Sequence, residues 1–268
     1  MGVFETIAGQ LSAAAVTTAQ AFIPNTPNTY TVRNATGQQD ANLVSMWANV
    51  TVSGQVRVRS ARLHDAQQAI NTRQLNANPS PTLTNGSLQG LYSQDLLTVE
   101  YLADTAPVAS SIQCHGMTIY YPSLVGGSTS SSRTWAEVEP YINNILGQEV
   151  IATTSATGGL WGAGSVLNSQ YDVFKAGKNY AVLGYTTSDV GNAWGLSGAD
   201  TGNYIVGGPL TTDALVTKNY FVDLANSNGL PLIPVISANN KLSTIVQVAA
   251  AGISQTVHIG LILAELAN

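Results

Sequence analysis

Residues 46–59 read MWANVTVSGQVRVR, and their two-residue rhythm decides the fold. The even positions carry Met46, Ala48, Val50, Val52, Gly54, Val56 and Val58. The odd positions from 49 onward carry Asn49, Thr51, Ser53, Gln55, Arg57 and Arg59. Successive side chains of a strand point to opposite faces, so this alternation sets an apolar face inward and a polar face outward. A helix would scatter the same valines around its circumference. Ser53-Gly54 supplies a bend, which makes the stretch a strand or hairpin. Burying Val50, Val52, Val56 and Val58 is worth about 6–10 kcal/mol in total.

Outward from this stretch, further strand patterns recur. Leu97, Val99 and Tyr101 alternate with polar neighbours, and Met117–Tyr121 follows. Later pieces are Tyr180–Tyr185, Tyr204–Val206, Asn219–Leu224, Leu232–Ile236, Leu242–Val248 and Thr256–Leu263. Turn signals such as Gly207-Gly208-Pro209 and Asn228-Gly229 separate them. Many short strands so punctuated predict an all-β sandwich, barrel or jelly roll. Residues 64–94, with Pro79, Pro81 and Asn85-Gly86, read as a long loop.

Two segments read as helix. Residues 3–21 place Phe4, Ile7 and Leu11 on one narrow, Ala-rich stripe, which needs a surface to lie against. Those three residues are therefore the candidate assembly-facing or membrane-facing positions. Pro24 and Pro27 end that helix. Thr134-Trp135-Ala136-Glu137 has capping-box spacing, but Pro140 favours a short helix that starts there and ends near Gly147. The flexible stretch Gly126–Ser132 is the candidate boundary between halves.

Composition narrows the function. Only 9% of the 268 residues are charged, against about 25% in an average domain, while 44% are hydrophobic. Such a chain folds rather than staying disordered. Ten Lys and Arg and a net charge of −5 argue against a broad nucleic-acid surface. Arg57, Arg59, Arg62 and Arg73 cluster in sequence, which reads as a solvated strand face and loop. No cationic leader opens the chain, and no apolar run reaches the 18–20 or so residues of a membrane span.

Chemistry is sparse. The lone Cys114 forms no internal disulfide, and its neighbour His115 cannot complete a metal site with it, so Cys114 reads as a core residue. His64 and His258 fall into no ligand spacing. Gly162-Ala163-Gly164 lacks the βαβ setting of a dinucleotide site, and Gly177-Lys178-Asn179 is not a phosphate loop. No cofactor, metal or catalytic residue is expected.

Three features together resemble the coat proteins of icosahedral prokaryotic viruses of the double jelly-roll lineage. They are the length, with an N-terminal helix before two β-rich halves; the runs NYFVDL (219–224) and LPLIPVISANN (230–240); and the closing strand pair. The resemblance implies an N-terminal helix or arm over 1–27, a first jelly roll over 28–126, a linker and short helix over 127–147, and a second jelly roll over 148–268. It also implies homotrimeric, pseudo-hexagonal capsomers in a virion shell assembled in the host cytoplasm. Copies of itself would be the main partner, with minor capsid proteins and an internal membrane as further neighbours and no sequence-specific nucleic acid binding. Two other classes stay open: an extracellular binding or surface-layer β-sandwich, and a β-rich hydrolase with a carboxylate pair.

Overall fold

Val50, Val56 and Val58 are fully buried in one apolar cluster with Met46 and Ala48, and Val52 packs against its edge. The alternation is thus realised as two strands around a bend. The computed structural model describes residues 2–11, 23–36, 41–62, 70–74, 82–83, 89–108, 113–127, 129–167, 172–249 and 254–267.

The first lobe contains β1 (Val3–Leu11), β2 (Ile23–Thr31), β3 (Ala41–Asn49), β4 (Gly54–Arg59) and β5 (Ile70–Gln74). It continues with β6 (Thr82–Leu83), β7 (Gln89–Leu91), β8 (Leu96–Ala103) and β9 (Gln113–Tyr121). One sheet runs β1-β9-β3-β6, with β7 also on β3; the other runs β2-β8-β4-β5. Short strands therefore occupy parts of the stretch 64–94 that reads as loop.

The second lobe contains β10 (Ile142–Thr153), β11 (Ser165–Val166), β12 (Asn179–Thr187) and β13 (Ala193–Ser197). It ends with β14 (Val206–Pro209), β15 (Val235–Ser237), β16 (Ile245–Ala249) and β17 (Thr256–Leu266). Its sheets run β10-β17-β12-β15 and β11-β16-β13-β14. With β6 and β7 counted as one interrupted strand, both lobes share one wiring. The first, eighth, third and sixth strands form one sheet; the second, seventh, fourth and fifth form the other. Every pairing is antiparallel. This order is the jelly roll, and the chain carries it twice.

Two helix expectations and one strand expectation are corrected. Residues 3–11 form β1, paired over its whole length with β9 from Val3↔Tyr121 to Leu11↔Gln113. The strand is stable there because both its faces are covered: Val3, Ile7 and Leu11 pack in the first core and Phe4 in the second. Phe4 and Leu11 are thus interior residues of a sheet, not a helical docking stripe, and β1 is a full member of the first lobe rather than an arm. Residues 12–21 of the expected helix lie outside the described residues.

The helix expected at Pro140–Gly147 lies earlier, as α1 (Trp135–Val138), and runs into a 3₁₀ turn over Glu139–Tyr141. The capping box wins: Glu137 Oε2 accepts from Thr134 N at 2.9 Å and Thr134 Oγ1 at 2.8 Å. β10 then begins at Ile142, ahead of the expected start of the second lobe at 148. The piece Asn219–Leu224 is also helical. After the short α2 (Ala214–Thr217), α3 (Tyr220–Asn228) buries Tyr220, Phe221, Leu224, Ala225 and Asn228 on one face. Gly229 ends it in the left-handed conformation at φ 64°.

Candidate functional site

Polar and aromatic residues far apart in sequence meet at the seam between the two lobes. All nine residues of β9 are buried, and β3 is buried from Leu43 to Ala48. One face of their sheet closes the first core. The other face is covered by α3, β14 and the Gly191–Asn192 turn of the second lobe.

Thr6 anchors the β1 side. Its N–H donates to Ile205 O at 2.7 Å, and its hydroxyl both donates to Gly207 O and accepts from Gly207 N, each at 3.0 Å. On β3, the Trp47 indole donates to Asn192 O at 2.7 Å and Asn49 Nδ2 donates to Gly191 O at 2.9 Å. Asn192, wholly buried, returns the contact by donating to His115 O at 2.7 Å. Tyr220 OH donates to Ser45 Oγ at 3.4 Å, and the Phe4 and Phe221 rings lie 6.4 Å apart. Each buried neutral hydrogen bond contributes about 1 kcal/mol net, and losing one partner costs more than that.

Two close approaches need glycine. A Cβ on Gly116 would come within 2.3 Å of the Trp47 ring. Gly159, at φ +78°, packs against Gln10 and Cys114 where a Cβ would sit 2.9 Å from Gln10 Cβ.

A buried carboxylate braces the same edge. Glu5 takes both Nε and Nη2 of Arg33 at 2.7–2.9 Å, and accepts from the hydroxyls of Tyr30 and, at 3.0 Å, Tyr121. Burial, then the Glu5 charge, pushes both tyrosine hydroxyls far above their ordinary range, so they remain donors. The Arg33 guanidinium lies 4.5 Å above the ring of Tyr204, a residue of the second lobe. Glu5, Arg33 and Tyr204 therefore form one chain of contacts from core to seam.

Burial holds His115, Cys114 and Tyr220 at the seam neutral. Burial pulls His115 down to about 3 and pushes the Cys114 thiol up to about 12. Burial likewise raises Tyr220 to about 12. Cys114 is a buried free thiol, in keeping with its reading as a core residue.

The remaining sequence candidates do not converge. Arg57 and Arg59 both hold the buried Glu100, at 2.5 Å and 2.6 Å, which neutralises part of that cluster. Arg62 lies 6.0 Å over the Tyr92 ring. His258 stands on the exposed face of β17, with Nδ1 3.0 Å from Glu149 Oε1. His64 lies outside the described residues. Among the described residues, no three His, Cys, Asp or Glu side chains gather closely enough to hold a metal ion. No helix among them is long and apolar enough to cross a membrane. The seam residues Ser45, Trp47, Asn49 and Asn192 escape a reading of periodicity. The available signal was Trp47, a large aromatic on the otherwise polar face of the alternation.

No protein-family model and no curated protein matches the chain. Among solved structures it is similar to the PBSX exported protein XepA, at 10% identity and a TM-score of 0.26, over 98% of this chain and 86% of that one. It is also similar to the STIV major capsid protein (STIV MCP), at 9% identity and a TM-score of 0.23, over 98% of this chain and 97% of that one. With superpositions this loose, the fold rests on the strand order itself.

Proposed function

We propose that this chain is a structural coat protein that assembles with copies of itself into trimeric, pseudo-hexagonal capsomers of a viral shell. The observation that carries the reading is the repeated jelly-roll wiring, locked into one block by the buried seam. Three such two-lobed blocks around a threefold axis present six similar lobes, the outline that tiles a closed hexagonal lattice. Jelly rolls also serve as lectins and cupins, so the fold alone does not choose between uses. Two features favour the shell. Both sandwiches are filled by their own side chains, Trp194, Tyr185 and Phe221 among those of the second. The low charge also limits repulsion between identical neighbours.

The test is light scattering coupled to size exclusion, with electron microscopy of the concentrated protein. Trimers and ordered sheets or particles are expected. A monomer at every concentration, with no assembled material, sinks the reading.

A further inference from the structure

The repeated wiring gives every strand of the first lobe a counterpart in the second. In their sheets, β10, β17 and β12 occupy the places of β1, β9 and β3. In the first lobe, the outer face of those three strands is the seam, covered along all of β9 and partly buried at Ala8, Gln10 and Asn49. In the second lobe, α2 and α3 cover only the β12 end of the equivalent face. Among the described residues, no helix covers the β10–β17 end.

That face does not have the composition of a surface built only for water. Ile145 is 59% exposed and Ile151 48%, both outward on β10. Half-buried Ile262 lies opposite Gly147, where an added Cβ would meet nothing. The strip carries one carboxylate, Glu149, whose Oε1 lies 3.0 Å from His258 Nδ1, and the twelve residues of β10 contain no Lys, Arg or Pro. Charged residues and prolines are the usual means by which an edge strand resists pairing. Among the described residues, no backbone hydrogen bond ties β10 to any strand but β17.

We infer that the outer face of β10 and β17 is the intersubunit counterpart of the seam, and that its occupant is the first lobe of a second copy. Within the chain, the seam takes the Gly191–Asn192 turn and β14. The corresponding parts of the first lobe are the turn at Val50–Ser53 and the edge strand β5. A second copy offers these to β10 and β17, head to tail. A heterologous contact of this kind closes into a ring when its rotation is a whole fraction of a turn, one third for a trimer. This inference rests on the assembly reading and deepens it by assigning the surface.

The experiment compares the intact chain with Ile145→Lys/Ile151→Lys and with Leu242→Lys. Leu242 is 63% exposed and lies off the β10–β17 face. Concentration series by light scattering read the association, and circular dichroism with thermal melting reads the fold. Burying an isoleucine is worth enough to move a binding constant about tenfold or more. The double variant should therefore keep its melting curve and lose trimer affinity at least tenfold, while Leu242→Lys associates like the parent. A parent trimer left intact by the double variant, or weakened equally by Leu242→Lys, overturns the assigned surface and leaves the assembly reading standing. A parent that never associates overturns the assembly reading instead.

Discussion

The indole of Trp47 lies directly over Gly116, its register partner on β9, and occupies the space where any other residue would place a Cβ. From there its N–H reaches Asn192 O in the other lobe. One aromatic ring thus ties two strands of the first lobe to the second, provided that its neighbour has no side chain.

Gly116→Ala tests this dependence. The new methyl must displace the ring, break its hydrogen bond, or push β9 away from β3. Overpacking of this kind costs about 1–3 kcal/mol, more where a buried carbonyl also loses its donor. A lower melting temperature with an altered tryptophan emission is expected. Unchanged melting would mean that the ring has room to move.

Arg33→Ala leaves the buried Glu5 carboxylate with only the two tyrosine hydroxyls. Arg33 is 43% exposed along its side chain, which tempers the loss, so about 2–3 kcal/mol is expected. Arg33→Ala with Glu5→Gln should recover part of it, because the uncompensated charge goes with the second change. Urea unfolding of the two variants measures the recovery, and no recovery would show that Glu5 is not held by its charge.

His115 makes stability depend on pH. Folded, its imidazole resists protonation until about 3; unfolded, it takes a proton below about 6.5. Its contribution is therefore complete above pH 6.5 and is lost progressively as pH falls toward 3, by about 1.4 kcal/mol per unit. Unfolding free energies of the parent and His115→Gln, measured from pH 7 to 4.5, should differ in slope by one proton. Parallel slopes would place His115 in contact with solvent.

Cys114 offers a kinetic readout of the seam. Its thiol is buried, raised to about 12, and packed beside Gly159. A thiol reagent should label the native protein only as fast as the structure opens. Asn192→Ala removes the donor to His115 O, one residue along β9, and should accelerate labelling. Rapid labelling of the parent would contradict the packing described.

Only surfaces with one buried face were legible in the sequence. Val50, Val56 and Val58 sit between a core and the outside, so their alternation is clean and the β reading holds. β1 lacks that contrast. Its core face includes Glu5 and Gly9, its seam face includes Phe4, and the apolar residues fall by chance at helical spacing. The seam was hidden for the opposite reason. Its contacts are made by Thr6, Ser45, Asn49 and Asn192, whose polarity reads as solvent-facing unless the partner is known. In α3, the β-favouring run Tyr220-Phe221-Val222 was overruled by tertiary packing, since Tyr220, Phe221 and Leu224 turn together into one core.

The complete burial of β9 also bears on how the chain is made. Residues 3–121 can pair their strands as soon as they emerge, but the outer side of β9 stays uncovered until Asn192, Gly207 and Phe221 have followed. At about 5–20 residues per second, the hundred or so residues between imply a delay of roughly 5–20 seconds. During it, Phe4, Val44, Trp47 and Tyr120 face water side by side. A nascent chain paused there would be adhesive, and the polar Thr6, Ser45 and Thr118 among those aromatics would keep it soluble until its second lobe arrives.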